Sequence, residues 1–143
     1  MKECFAVILA LMLMMSSAVL LSAQKANPAS DFKYDLNGEG TGIVIQGYKG
    51  SAKEVIIPSV IEGFPVVELG YKAFQESKIV SVIIPDNVTL INSFAFSDCT
   101  SLMSVTIPDN VEDIGDGAFS GCTALNLKEK AKIKKAGYRG SFD

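Results

Sequence analysis

The sequence predicts a short β-rich solenoid: one small unit of chain wound repeatedly about a shared core, with a β-hairpin closing its start and a short helix its end. Three observations predict it. Val82-Ile83-Ile84-Pro85-Asp86-Asn87-Val88 recurs 23 residues later as Val105-Thr106-Ile107-Pro108-Asp109-Asn110-Val111. Ala95-Phe96-Ser97-Asp98-Cys99-Thr100-Ser101-Leu102 recurs at the same offset as Ala118-Phe119-Ser120-Gly121-Cys122-Thr123-Ala124-Leu125. An earlier, degenerate copy starts at Val55-Ile56-Ile57-Pro58 and reaches Ala73-Phe74. Two separate blocks that keep one period mean that a single supersecondary unit is stacked on itself.

The elements follow in order along the chain. Residues 1–23 read as a signal peptide: Lys2 supplies a positive start, Phe5 to Met15 and Ala18 to Leu21 are apolar, and Ser22-Ala23 end the run with small residues. Ser16-Ser17 interrupt the apolar run, which favours cleavage over a retained anchor. The cut is expected after Ala23, with Ala26 as a second candidate. Residues 24–30 form a linker. Residues 31–54 form an N-terminal β cap, in which Phe32 to Leu36 alternates apolar and polar residues, Asn37-Gly38 marks a turn, and Thr41 to Gln46 is the returning strand.

Residues 55–125 hold the repeats, divided at about 55–80, 81–103 and 104–125. The first unit is lengthened by Ile61-Glu62-Gly63-Phe64-Pro65, where Glu62-Gly63 between apolar runs predicts a hairpin turn. Residues 126–143 form a basic capping helix and tail. Leu127 to Ala136 is rich in Lys, Glu and Ala and is bounded by Asn126 and Gly137, which suit the two ends of a helix.

Within a unit, strand side chains alternate between faces. Val55, Val82 and Val105 therefore form one inward column and Ile57, Ile84 and Ile107 a second, while Pro58, Pro85 and Pro108 end the strands by removing a ladder donor. The chain returns with Val88/Val111 and Ile91/Ile114 inward, and Leu69 fills the column of Ile91. Phe74, Phe96 and Phe119 stack as an aromatic spine, the largest apolar contribution of each unit.

The pattern Ile-Pro-Asp-Asn-Val, then Ile, then Gly-Ala-Phe-Ser-Gly-Cys-Thr-Ala-Leu resembles the BspA-like leucine-rich repeats of bacterial surface proteins, over roughly Gly42 to Leu125. The run from Gly47 through Pro58 also resembles the usual opening of such arrays. The resemblance implies a right-handed leucine-rich-repeat solenoid of short parallel strands, turns and short helical or 3-10 segments. It further implies a secreted or surface-attached protein that binds host or bacterial ligands, with no shared catalytic motif.

Composition narrows the function further. The 143 residues are 48% hydrophobic and 20% charged, as in a packed globular protein, and a net charge of −3 provides no global field for nucleic acid or acidic lipid. There is no His, which excludes Ser-His-Asp and Cys-His catalysis and His-based zinc sites. Gly38-Glu39-Gly40-Thr41-Gly42 follows a hairpin turn and opens no helix, so it reads as a turn and not as a phosphate loop. With Cys4 assigned to the signal peptide, Cys99 and Cys122 remain, one unit apart; the spacing permits a disulfide, and repeat stacking of two small buried thiols explains it without one. Asp86, Asp109, Asp113 and Asp116, with Asn87 and Asn110, gather near the turns, where side-chain to backbone bonds account for them better than a calcium site does.

Two surfaces are candidates for binding. The outward strand column carries Glu54, Ile56, Ser81, Ile83, Met103, Ser104 and Thr106, of which Ile56 and Ile83 are apolar beyond the needs of solubility. A basic patch gathers Lys128, Lys130, Lys132, Lys134, Lys135 and Arg139, six of the thirteen positive charges; a solvated cap is its simpler reading. Phe94, whose repeat partner is Gly117, is a possible anchor on another face. The expected protein is a non-catalytic exported binding module for a protein or glycan, without cofactor, without nucleic-acid binding and without stable membrane insertion once the signal is removed. A structural, envelope-associated or periplasmic role is the alternative, and the oligomeric state stays open.

Overall fold

In the computed structural model, residues 25–143 are described; the signal peptide expected at 1–23, with its cleavage site and Cys4, lies outside the described residues. After a 3-10 turn at Ala29–Asp31, nine strands and one α-helix follow in order: β1 (Phe32–Leu36), β2 (Ile43–Tyr48), β3 (Glu54–Ile56), β4 (Val60–Ile61), β5 (Phe64–Leu69), β6 (Ser81–Ile83), β7 (Leu90–Ile91), β8 (Ser104–Thr106), β9 (Asp113–Ile114) and α1 (Leu127–Lys135). They wind into a β-solenoid of about three coils.

Each coil contributes to two sheets whose strands run parallel from coil to coil. One runs β3-β6-β8, and the other β1-β2-β5-β7-β9, with β4 paired to β5 at its side. The 23-residue spacing is realised as register: Val82 pairs with Val105 and Ile83 with Thr106, and the same ladder places Val55 against Val82. In the second sheet Leu69 pairs with Ile91 and Ile91 with Ile114, so Leu69 takes the column expected of it. Ile45 of the cap precedes them against Leu69. On the third side each coil runs as consecutive turns, in which Ala95, Ser97 and Cys99 N–H groups donate to the carbonyls of Asn92, Phe94 and Phe96. The same amides' neighbours bond sideways, Phe96 N–H to the Ala118 carbonyl at 2.8 Å, so turns stack on turns.

The caps have local causes. β1 and β2 pair antiparallel. Thr41, expected to open the second strand, belongs instead to the turn, because the Asn37 side-chain oxygen accepts from the Thr41 and Gly42 amides at 2.9 and 3.2 Å; β2 begins at Ile43 and extends to Tyr48. The insertion in the first coil is the expected hairpin: Glu62 and Gly63 have φ of 53° and 84°, the two left-handed positions that match the twist of paired strands. Asn126 caps α1 by accepting from the Glu129 amide at 3.0 Å, and Gly137 follows at φ 117°.

The interior is a set of stacked columns. Val55, Val82 and Val105 are buried, as are Ile57 and Ile84. Ile107 and Val111 are only partly buried, because no coil follows to cover them. The phenylalanine spine is present and longer than the repeats: Phe74 and Phe96 lie 5.0 Å apart, and Phe96 and Phe119 5.2 Å apart, both stacked. Tyr48 stacks on Phe74 at 5.6 Å at one end. At the other, Tyr138 packs edge-on against Phe119 and Phe142 against Tyr138. Each cap thus contributes rings to a column that the coils begin.

Candidate functional site

The outer face of β3-β6-β8 is built from three strands of three residues each, which lie in register. Its side chains form two columns, Glu54-Ser81-Ser104 and Ile56-Ile83-Thr106. Glu54, Ser104, Thr106 and Met103 are exposed, Met103 to 57%, whereas Ser81, Ile56 and Ile83 are half-buried. Part of the cover over Ile56 comes from a stretch read as linker. The Asn27 amide donates to the Ile56 carbonyl at 2.9 Å, and the Asn27 side-chain oxygen accepts from the Ile56 amide at 2.8 Å. Asn27 thereby closes the free edge of β3, and with Lys25 it forms one wall of a shallow cavity of about 310 Å³ over Glu54, Ile56, Ser81 and Ile83.

The basic residues make different contacts. Lys130 and Lys134 place their ammonium groups 5.4 and 5.8 Å from the centre of the Phe142 ring, which pins the tail to α1. Lys132 pairs with Glu129 at 2.7 Å. Glu129 is buried, and its other oxygen accepts from the Val105 amide at 3.3 Å. The Lys132 contact first, then the Val105 amide, hold the Glu129 carboxyl below its ordinary value despite burial. Lys132 and Lys135 line a groove against the last coil, and Lys128 and Arg139 are exposed.

Cys99 and Cys122 are buried and unbridged. Each thiol donates to the carbonyl of the phenylalanine one coil earlier, Cys99 to Phe74 at 2.9 Å and Cys122 to Phe96 at 3.0 Å. The Cys99 side chain beside it and burial push the Cys122 thiol far above its ordinary range, so it stays protonated. At the turns the Asn110 side chain donates to the Asp86 carbonyl at 2.9 Å, a bond from coil to coil. No group of three or more His, Cys, Asp and Glu residues placed to hold a metal ion occurs among the described residues.

One surface feature is only half visible in the sequence. Tyr71 and Phe94, exposed to 58% and 38%, meet edge to face at 6.0 Å on the turn side. Lys72, Phe94 and Gly117 occupy equivalent left-handed positions in successive coils, with φ of 58°, 58° and 66°. Gly117 leaves room for the Phe94 ring, so the mismatch between Phe94 and Gly117 was the available signal; Tyr71, outside the aligned positions, gave none.

The chain matches, over residues 51–141, the family described as BspA type leucine rich repeat region (6 copies). Among solved structures it is similar to a leucine rich cell surface protein of Faecalibacterium prausnitzii A2-165, with 37% identity and a TM-score of 0.62 over 73% of this chain and 30% of that one. A leucine-rich repeat protein of Bacteroides ovatus ATCC 8483 shares 32% identity and a TM-score of 0.64 over 71% of this chain and 28% of that one. The chain therefore spans under a third of the length of these two proteins. A T. pallidum leucine rich repeat protein shares the fold at 23% identity, with a TM-score of 0.60 over 82% of this chain and 99% of that one. No curated protein matches the chain. With the family's repeat running through about two thirds of its residues and forming its coils, the chain belongs to the BspA type leucine rich repeat family.

Proposed function

We propose that the chain is a non-catalytic binding module that works outside the cytoplasm and takes a protein or glycan ligand on the outer face of β3-β6-β8. The observation that carries this reading is the register of that sheet. Glu54, Ser81 and Ser104 stand in one column and Ile56, Ile83 and Thr106 in the next, so that a polar column runs beside a largely apolar one on a single face. Repeat proteins bind through extended surfaces of this kind. The absence of His from the chain and the burial of both described thiols favour binding over catalysis. The apolar run expected as a signal peptide and the similarity to a leucine rich cell surface protein support export.

The test compares the protein with a variant carrying Ile56→Ser, Ile83→Ser and Met103→Ser in pull-down from surface extracts and on a glycan array. Loss of a specific ligand in the variant, with unchanged thermal unfolding, supports the strand face. Equal binding by both removes that face as the site. Fractionation of the producing cells separates release or surface display, which the reading expects, from retention in the periplasm, which points to a structural envelope role.

A further inference from the structure

The C-terminal end of β3-β6-β8 is only half closed. The Ile57 amide donates to the Ile83 carbonyl at 3.1 Å, and the Ile84 amide to the Thr106 carbonyl at 3.0 Å, one coil to the next. The equivalent Ile107 amide has no partner among the described residues. Its acceptor would sit 23 residues beyond Thr106, at Glu129, where the chain is already helical in α1. Glu129 offers only its carboxylate, and the Val105 amide takes it. Beside this unfinished edge lies a groove of about 450 Å³, lined by Val105, Ile107 and Val111 on the coil and by Lys132, Lys135 and Ala136 on the helix. Ile107 and Val111 are partly exposed there, whereas Ile84 and Val88, their counterparts one coil back, are buried.

The segment that forms the helical wall of the groove is basic on balance. Residues 127–143 carry six Lys and Arg against Glu129 and Asp143, in a chain whose acidic residues otherwise outnumber its basic ones. On the rim, Lys132 is neutralised by Glu129, Asp109 stands at the turn, and Lys135 has no ion-pair partner among the described residues. We propose that this groove accepts an extended acidic peptide segment, added as a further strand to the edge of β8. Its backbone carbonyl would receive the Ile107 amide, its apolar side chains would cover Ile107, Val111 and Ala136, and a carboxylate between them would meet Lys135; a strand supplies both kinds of side chain by its twofold alternation. A second copy stacked end on would have to present its own β3 edge, and Asn27 already occupies that edge. The proposal does not depend on the outer strand face.

The probe is a short labelled peptide of alternating Val and Glu, with alternating Val and Lys as its counterpart, followed by fluorescence anisotropy with the full protein. The expected result is binding of the acidic peptide only, weakened about fivefold or more by Lys135→Glu and unchanged by Lys128→Glu or by the Ile56, Ile83 and Met103 substitutions. Circular dichroism and thermal unfolding confirm that each variant is folded. Amide hydrogen exchange gives a second readout: Ile107 N–H exchanges freely in the protein alone and becomes protected with the acidic peptide. No binding of that peptide at millimolar concentration, equal binding of the basic peptide, or protection elsewhere than Ile107 overturns the proposal. Protection of Ile107 that grows with protein concentration in the absence of peptide overturns it in favour of a second copy.

Discussion

The Phe96 ring lies 5.2 Å from that of Phe119 and within 10° of parallel to it. Phe96 has a ring on both sides, Phe74 being the other, and it is fully buried. Replacement by Ala therefore opens a cavity between two rigid neighbours that cannot easily close it. Phe96→Ala is expected to lower stability by about 3–5 kcal/mol, read as a shift in the denaturant midpoint at unchanged slope. An unaltered midpoint would count against the stacked interior.

The thiols give a second prediction. Cys99 and Cys122 are expected to be silent towards thiol reagent in the native protein and to titrate fully once it is unfolded without reductant. A bridged pair would stay silent in both states. Cys122→Ala removes one of two donors to the Phe96 carbonyl, which keeps the Cys99 amide, and is expected to cost about 1 kcal/mol, from a lost hydrogen bond and a small cavity.

The Glu129 carboxylate ties the helix to the last strand, and its folded value lies below its unfolded one. The stabilisation is therefore present above the ordinary carboxyl range, about pH 4.3, and is lost as the pH falls through the depressed folded value. Glu129→Gln is expected to lower thermal stability at neutral pH and to match the unmodified protein at pH values below both. A difference that persists in acid would place its cause in packing and not in charge.

Asp98 and Gly121 occupy equivalent left-handed positions, at φ of 56° and 74°. A Cβ there costs about 1–2 kcal/mol in an L-residue. Asp98→Gly is expected to raise the melting temperature and Gly121→Ala to lower it, the latter also because the new methyl would meet the Asp98 side chain. Opposite signs for both would refute the equivalence of the two turns.

Much of this architecture is legible in the period alone. Two blocks sharing a 23-residue offset identify the valine column, the phenylalanine spine and the two thiols, and the degenerate first copy places Leu69 with Ile91. What the period misses lies at the ends. Tyr48 and Tyr138 extend the spine from outside the repeat register, so no column comparison finds them. Asn27 closes β3 by hydrogen bonds across nearly thirty residues of chain, which composition read as a linker. Ile107 matches Ile84 in sequence and differs in burial, because burial in a stack depends on the next coil and not on the residue itself. The division of the basic residues between Phe142 and the groove likewise depends on how α1 sits on the last coil.

The first coil's edge is sealed by a strand-like pairing, while the last coil ends against a helix that satisfies one amide and bypasses the next. Every interior coil, by contrast, bonds only to its immediate neighbours. Length is accordingly a free parameter of this design: a duplicated stretch of chain inserted between two coils would meet the same contacts on either side and leave both terminal structures intact. Enlargement by internal duplication needs no new core, which gives a physical route between a domain of this size and proteins more than twice as long that share its coils.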